Sequence, residues 1–158
     1  MKKTGKRLLL PAAAVLVLAL VLVFVLRPGG GEGETGDGGL RCGLRICCGS
    51  VLEHMDSLAP EKRDLVPADG VLYSGEDLPA EEGDTVFDLL LRETRAAGIH
   101  MEFTGAPVYV EGIGNLYEFD CGPASGWTYT VNGEYPDLGC GQYALADGDT
   151  VEWIYTCS

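Results

Sequence analysis

Along the chain, hydrophobic and polar positions fall into three regimes. The first is an almost unbroken apolar run of nineteen residues from Leu8 to Leu26, preceded by Lys2, Lys3, Lys6 and Arg7. Its length is close to the roughly 20 residues that a hydrocarbon core of about 30 Å requires, and Pro11 near its start is tolerable in such a helix. A basic flank holds the N-terminus in the cytoplasm. The competing reading is a cleavable signal peptide, whose apolar region is usually about 7–15 residues long and ends at a small-residue site. Here the run ends Phe24-Val25-Leu26-Arg27-Pro28, and no cysteine sits just after it to accept a lipid. Residues 1–27 therefore read as a signal anchor: a single pass through the cell membrane over residues 8–26, with everything after it extracytoplasmic. The second regime, residues 28–39, is Gly-rich and acidic with nothing apolar to bury, and reads as a linker.

From Leu40 to Ser158 apolar and polar positions alternate on the scale of a folded domain. Leu44 to Leu52 is short and apolar and predicts a strand, as does Val71 to Tyr73. Glu53 to Val66 between them reads as a helical turn or two and loop, and Leu78 to Glu82 as a loop. The clearest helix runs from Thr85 to Ala97. Asp84 or Thr85 caps it, Thr85 with Asp88 resembles a capping box, and Gly98 stops it. Val86, Phe87, Leu89, Leu90, Leu91 and Ala97 form its buried face, and Asp88, Arg92 and Arg95 its wet one. After the helix the period changes to that of antiparallel strands. These are Ile99–Phe103, Val108–Ile113, Asn115–Phe119, Trp127–Val131 and a last strand in which Val151, Trp153 and Tyr155 alternate with Glu152, Ile154 and Thr156. Asn132-Gly133 predicts a type I′ turn, and Asp147-Gly148-Asp149 a second turn. The fold class is α+β, one main helix on a mixed or antiparallel sheet.

Charge and cysteine content narrow the setting. Beyond residue 27 the chain holds six basic against twenty-four acidic residues, a formal charge of −18. Such a field repels phosphate backbones and excludes nucleic acid as a partner. Six cysteines (Cys42, Cys47, Cys48, Cys121, Cys140, Cys157) in an exported domain read as disulfide partners. Cys-x-x-Cys and short-spaced Cys/His pairs are missing from the sequence, so no metal site is expected. Fifteen pairings of six cysteines remain open at this point.

No set of groups for catalysis is complete, and no enzyme activity is expected. His54 and His100 lack an orienting third group, and Ser125 in Gly122-Pro-Ala-Ser-Gly126 does not sit in a Gly-x-Ser-x-Gly elbow but shapes the loop before Trp127. The acidic pairs Asp147/Asp149 and Glu81/Glu82 read as solvated turn residues, with no calcium loop laid over them. The aromatic residues concentrate in the C-terminal half, beside glycine-rich loops, as ligand and partner sites often do.

The segments Gly83-Asp-Thr-Val-Phe-Asp-Leu-Leu, Tyr109-Val-Glu-Gly-Ile113, Ser125-Gly-Trp-Thr-Tyr-Thr-Val-Asn-Gly133 and Tyr143-Ala-Leu-Ala-Asp-Gly-Asp-Thr-Val-Glu-Trp153 resemble, in order and spacing, the transcobalamin C-terminal-like domain family. The resemblance covers residues 70–156, and residues 40–69 resemble the N-terminal extension of some members. It implies a β-grasp-like fold and, by likeness to vitamin B12 carriers, a corrinoid as one candidate ligand, although the second wall of such a site is missing from this chain. It also implies a Cys121–Cys140 bridge, with Cys157 paired to Cys42 or Cys48 and Cys47 left over. The resulting expectation is a membrane-anchored binding module that captures a small ligand at the cell surface through Trp127, Tyr129, Asn132 and Tyr135. The alternative is a structural or adhesion module that binds another surface protein through a sheet edge.

Overall fold

The computed structural model describes residues 39–158; the anchor and most of the linker expected before them lie outside the described residues. Among the described residues no helix is long and apolar enough to cross a membrane. The domain is α+β. Its strands are β1 (Leu40–Cys47), β2 (Val71–Ala80), β3 (Met101–Thr104), β4 (Tyr109–Ile113), β5 (Leu116–Tyr117), β6 (Gly126–Val131) and β7 (Thr150–Thr156), and its helices are α1 (Gly49–Glu53) and α2 (Val86–Ala97). A short 3-10 helix covers Pro60–Leu65.

Helix α2 begins and ends where the local chemistry dictates. Thr85 accepts from the Asp88 amide while the Asp88 carboxylate accepts from the Thr85 amide, and Gly98 closes the helix in the left-handed region at φ 68°. The next orphan donors are satisfied from a distant loop: the Val86 and Phe87 amides donate to the carbonyls of Tyr143 and Cys140 at 3.1 and 3.0 Å. Val86, Phe87, Leu89 and Leu90 are buried as expected, but Ala97 is exposed and Leu91 only half-buried. Thr94 completes the face instead. It is fully buried because its hydroxyl donates back to the Leu90 carbonyl at 2.7 Å. Arg92, expected on the wet face, is folded down onto Asp84 and the Pro79 carbonyl at 2.8 and 2.6 Å.

Two sheets result. The larger is mixed, in the order β2-β1-β7-β6, and the smaller is antiparallel, in the order β3-β4-β5. Strand β1 runs parallel to β7 and antiparallel to β2, so residues 40–47 occupy an interior position of the main sheet. The strand expected over Leu44–Leu52 therefore starts earlier and stops at Cys47. Leu40, Cys42, Leu44 and Ile46 alternate with two arginines and a glycine, whereas Val51 reaches the interior from a helical turn. Strand β2 extends well past Tyr73 and takes in Leu78–Ala80, because a bulge opposite Gly43 absorbs Glu76 and Asp77, the latter at φ 54°.

One core lies beneath α2, where Leu44, Ile46, Val151 and Trp153 meet Val86, Phe87, Leu89 and Leu90. A second joins Cys48, Val51 and Leu58 to Leu116, Cys121 and Tyr155. Residues 40–69 thus supply a central strand and half of a core.

The disulfide connectivity differs from the expectation. Cys121 is bonded to Cys157, with Cα atoms 5.1 Å apart, and Cys42, Cys47, Cys48 and Cys140 are free and buried. The register explains this: Gly126 pairs with Thr156, so the turn leading into β6 folds over the end of β7, and the Ser158 amide donates to the Cys121 carbonyl at 3.1 Å. Cys140 is held away, in the core under α2, by its carbonyl's bond to the helix. By the loop-closure account, a cross-link spanning 36 residues is worth about 4 kcal/mol.

Candidate functional site

Strand β6 sits at one margin of the main sheet, with β4 of the smaller sheet facing it across a cleft of about 170 Å³. The register of β6 on β7 builds the inner wall. Trp127 lies opposite Tyr155 and Tyr129 opposite Trp153, which brings four aromatic rings onto two adjacent strands. Trp127 meets Tyr155 edge-on with centroids 5.2 Å apart, and Tyr129 lies tilted on Trp153 at 5.4 Å. Val108, Tyr109 and Val110 form the outer wall, with Gly139 and Cys140 also lining the space.

Most polar side chains around this space are already engaged. The Trp127 indole donates to the Leu116 carbonyl at 2.8 Å, and the Tyr129 hydroxyl to the Leu138 carbonyl at 2.6 Å. Tyr109, half exposed, donates to Glu118 at 2.6 Å, and that bond is the first cause of its raised pKa. Burial pushes the Tyr129 hydroxyl up. Trp153 differs from these: it lines the cleft, is only 3 % exposed, and its indole N–H has no hydrogen-bond partner among the described residues. A buried donor left unpaired costs about 1–3 kcal/mol, and this one is closed off from solvent.

Of the four residues expected to form a site, the structure brings Trp127 and Tyr129 together in the cleft. Asn132 and Tyr135 do not join them. Asn132 occupies the expected two-residue turn at φ 54°, with Gly133 at φ 83°. Its side chain donates to Asp149 at 2.8 Å and accepts from the Thr150 amide at 3.0 Å, tying the turn to the start of β7. Asp149 is consequently buried, in contrast to the solvated turn residue expected there; it also accepts from the Ala146 amide at 2.9 Å. Tyr135 is 64 % exposed and away from the cleft lining. Ser125 is structural, accepting from the Cys121 amide at 3.0 Å and from the Tyr155 hydroxyl at 3.2 Å.

Sequence reasoning did not single out Trp153 and Tyr109. The available signal was the alternation Val151, Trp153, Tyr155, which marks the face but not the strand that pairs with it. A larger hollow, of about 450 Å³, opens at the β1–β2 bulge among Arg45, Ser74, Glu76 and main chain. It contains no aromatic residue, and Arg45 is paired there with Glu152 at 2.8 Å.

The family described as a domain of unknown function (DUF4430) matches residues 83–156 of the chain. The matched stretch runs from the turn before α2 through β7 and contains every residue that lines the aromatic cleft. It leaves out β1 and β2, which complete the main sheet. No curated protein matches the chain.

Proposed function

We propose that this protein is a non-catalytic binding module, displayed outside the membrane by its N-terminal apolar segment, which captures its ligand in the cleft between β4 and β6. The observation that carries the reading is the cleft itself, an open concavity walled by Trp127, Tyr129, Trp153, Tyr109 and the aliphatic side chains of Val108 and Val110. A concavity lined mainly by aromatic and aliphatic side chains is the usual form of a recognition site. The Cys121–Cys157 disulfide supports an oxidising compartment. The strand order β2-β1-β7-β6, with its parallel central pair and α2 packed over the same core, supports the β-grasp-like and transcobalamin-like resemblance.

The size of the cleft argues for a small occupant. At about 170 Å³ it lies below the roughly 300–1,000 Å³ of clefts that enclose drug-sized ligands, and a corrinoid is larger still. Adhesion by strand addition has less support. At one margin of the main sheet, β2 is broken by its bulge and carries Glu76, Asp77 and Pro79, features that blunt an edge.

Nitrogen-15 NMR of the full-length chain in detergent micelles, titrated with a library of small apolar fragments, tests the reading. The Trp153 indole signal should move in a saturable way with at least one fragment class. Fragments that perturb only residues remote from β4 and β6 would remove the cleft as the site.

A further inference from the structure

We propose that the cleft is a strand-docking slot: an extended segment of a partner protein, with lysine or arginine at its ends, pairs its main chain with the open edge of β6. The inference rests on capture in this cleft and deepens it by naming the occupant.

The hydrogen bonds around β6 show which part of its edge is open. The Asn132 amide donates to the Thr150 carbonyl at 2.8 Å, so the even-numbered residues of β6 direct their main-chain groups toward β7. The odd-numbered residues point the other way. Both ends of that outer edge are already satisfied: just before β6 the Ser125 carbonyl accepts from the Phe119 amide at 3.0 Å, and Val131 exchanges bonds with Glu134 at 2.9 and 3.0 Å. Trp127 and Tyr129 lie between them. The two sheets share no ladder, and among the described residues no turn or loop bonds to the main chain of either residue. Trp127 is half-buried and Tyr129 only 9 % exposed, a setting in which main-chain groups are ordinarily paired.

Two N–H and two C=O groups are thus left, repeating about every 7 Å along the strand. The main chain of an extended peptide has the same repeat. Three of its residues in antiparallel register would complete two hydrogen-bonded pairs with Trp127 and Tyr129. A neighbouring strand lies about 4.8 Å away, in the space that Val108, Tyr109 and Val110 close on the far side. Strand β6 also lacks the devices that protect a free edge. Its sequence Gly126-Trp-Thr-Tyr-Thr-Val131 has no proline and no charge, and its register on β7 is unbroken, in contrast to that of β2 on β1.

Charge decides the ends of the segment. Glu118 stands at the start of the edge, its Cβ 3.7 Å from where a side chain on Gly126 would begin, and Glu134 stands at its finish, bonded to Val131. Asp137 precedes Leu138, whose carbonyl holds the Tyr129 hydroxyl. None of these three carboxylates is paired with lysine or arginine among the described residues, where Arg45, Lys62 and Arg92 are engaged with Glu152, Asp120 and Asp84. Acids at both ends of the slot favour a segment flanked by cations.

The test uses the full-length chain, nitrogen-15 labelled, in neutral detergent micelles, with the acetylated, amidated peptide Lys-Lys-Thr-Val-Thr-Val-Thr-Lys-Lys. On binding, the Trp127 and Tyr129 amide protons are expected to exchange with solvent about tenfold more slowly or slower still, because new hydrogen bonds protect them. The same peptide with alternate amides N-methylated, or with glutamate at its ends, should bind about fivefold or more weakly. Glu118→Gln, which keeps an acceptor for the Tyr109 hydroxyl, should weaken the lysine-flanked peptide about threefold with the other amide signals in place. Equal affinity for the N-methylated peptide, or no added protection of Trp127 and Tyr129, would overturn strand addition. So would protection of both amides in the peptide-free protein through a concentration-dependent dimer, which would make a second copy the occupant. Equal affinity for the glutamate-flanked peptide would overturn the cationic ends. In each of these cases, fragments that still move the Trp153 signal leave the cleft standing as the site; silence to fragments and peptides alike would overturn both readings.

Discussion

Cys42, Cys47, Cys48 and Cys140 show how a residue's surroundings decide its chemistry. All four are free and no more than 8 % exposed. Burial is the first cause of a raised pKa in each, and it pushes Cys47 and Cys48 up to about 11. Thiolate, not thiol, is the nucleophile, so adjacency of Cys47 and Cys48 confers no reactivity while the fold is intact. Titration of the native protein with a thiol-reactive dye should give almost no colour, and the same titration in denaturant should release four equivalents. Prompt reaction in the native state would mean that the packing around at least one of these thiols opens.

At the scale of elements, α2 is the best-defined unit and the easiest to probe. Thr85→Ala removes one half of a capping box at a half-buried position and should lower stability by about 1 kcal/mol, read as a fall in the urea midpoint with unchanged slope. An unaffected midpoint would show that the loop carbonyls of Cys140 and Tyr143 alone hold the helix start. This helix, the Asn132-Gly133 turn and the alternation of β7 were legible in the sequence because each is specified by residues a few positions apart. Strand β2 was not, since Gly75, Asp77 and Pro79 resemble a loop until a partner strand accommodates the bulge. The boundary at Cys47 was equally hidden, because Val51 is apolar whether it continues a strand or enters a helical turn. The disulfide and the cleft were out of reach for a related reason. Both depend on the register of β6 on β7, which pairs residues some twenty to thirty positions apart.

For the whole molecule, the same proton affinities set the response to pH. In the unfolded chain the thiols ionise near 9.0 and tyrosine near 10.0, whereas in the fold Cys47 and Cys48 hold their protons to about 11. Tyr73 is pushed up to about 12, first by burial and then by its bond to Glu93. The unfolded state therefore releases protons first as pH rises. Stability from these groups is fully present below about pH 9 and is lost between about 9 and 12. Asp84 works in the opposite direction. The Glu81 amide is the first cause holding its carboxyl below the usual range, so its contribution is present above the ordinary value of 3.8 and is lost on acidification. Urea midpoints measured across pH should show a plateau with a fall on the alkaline side beginning near 9; a midpoint still level at pH 11 would contradict the burial of the two thiols.

The parallel pairing of β1 with β7 has a mechanical meaning. Leu40 opens one strand and Thr156 closes the other, and because the two run side by side in the same direction, these ends point away from each other. Tension applied between them would load the rungs from Gly43–Thr150 to Cys47–Ile154 in shear, all at once, in place of peeling them one by one. A domain tethered through its first strand and pulled at its last would resist as a clamp, giving way only when the whole ladder slips.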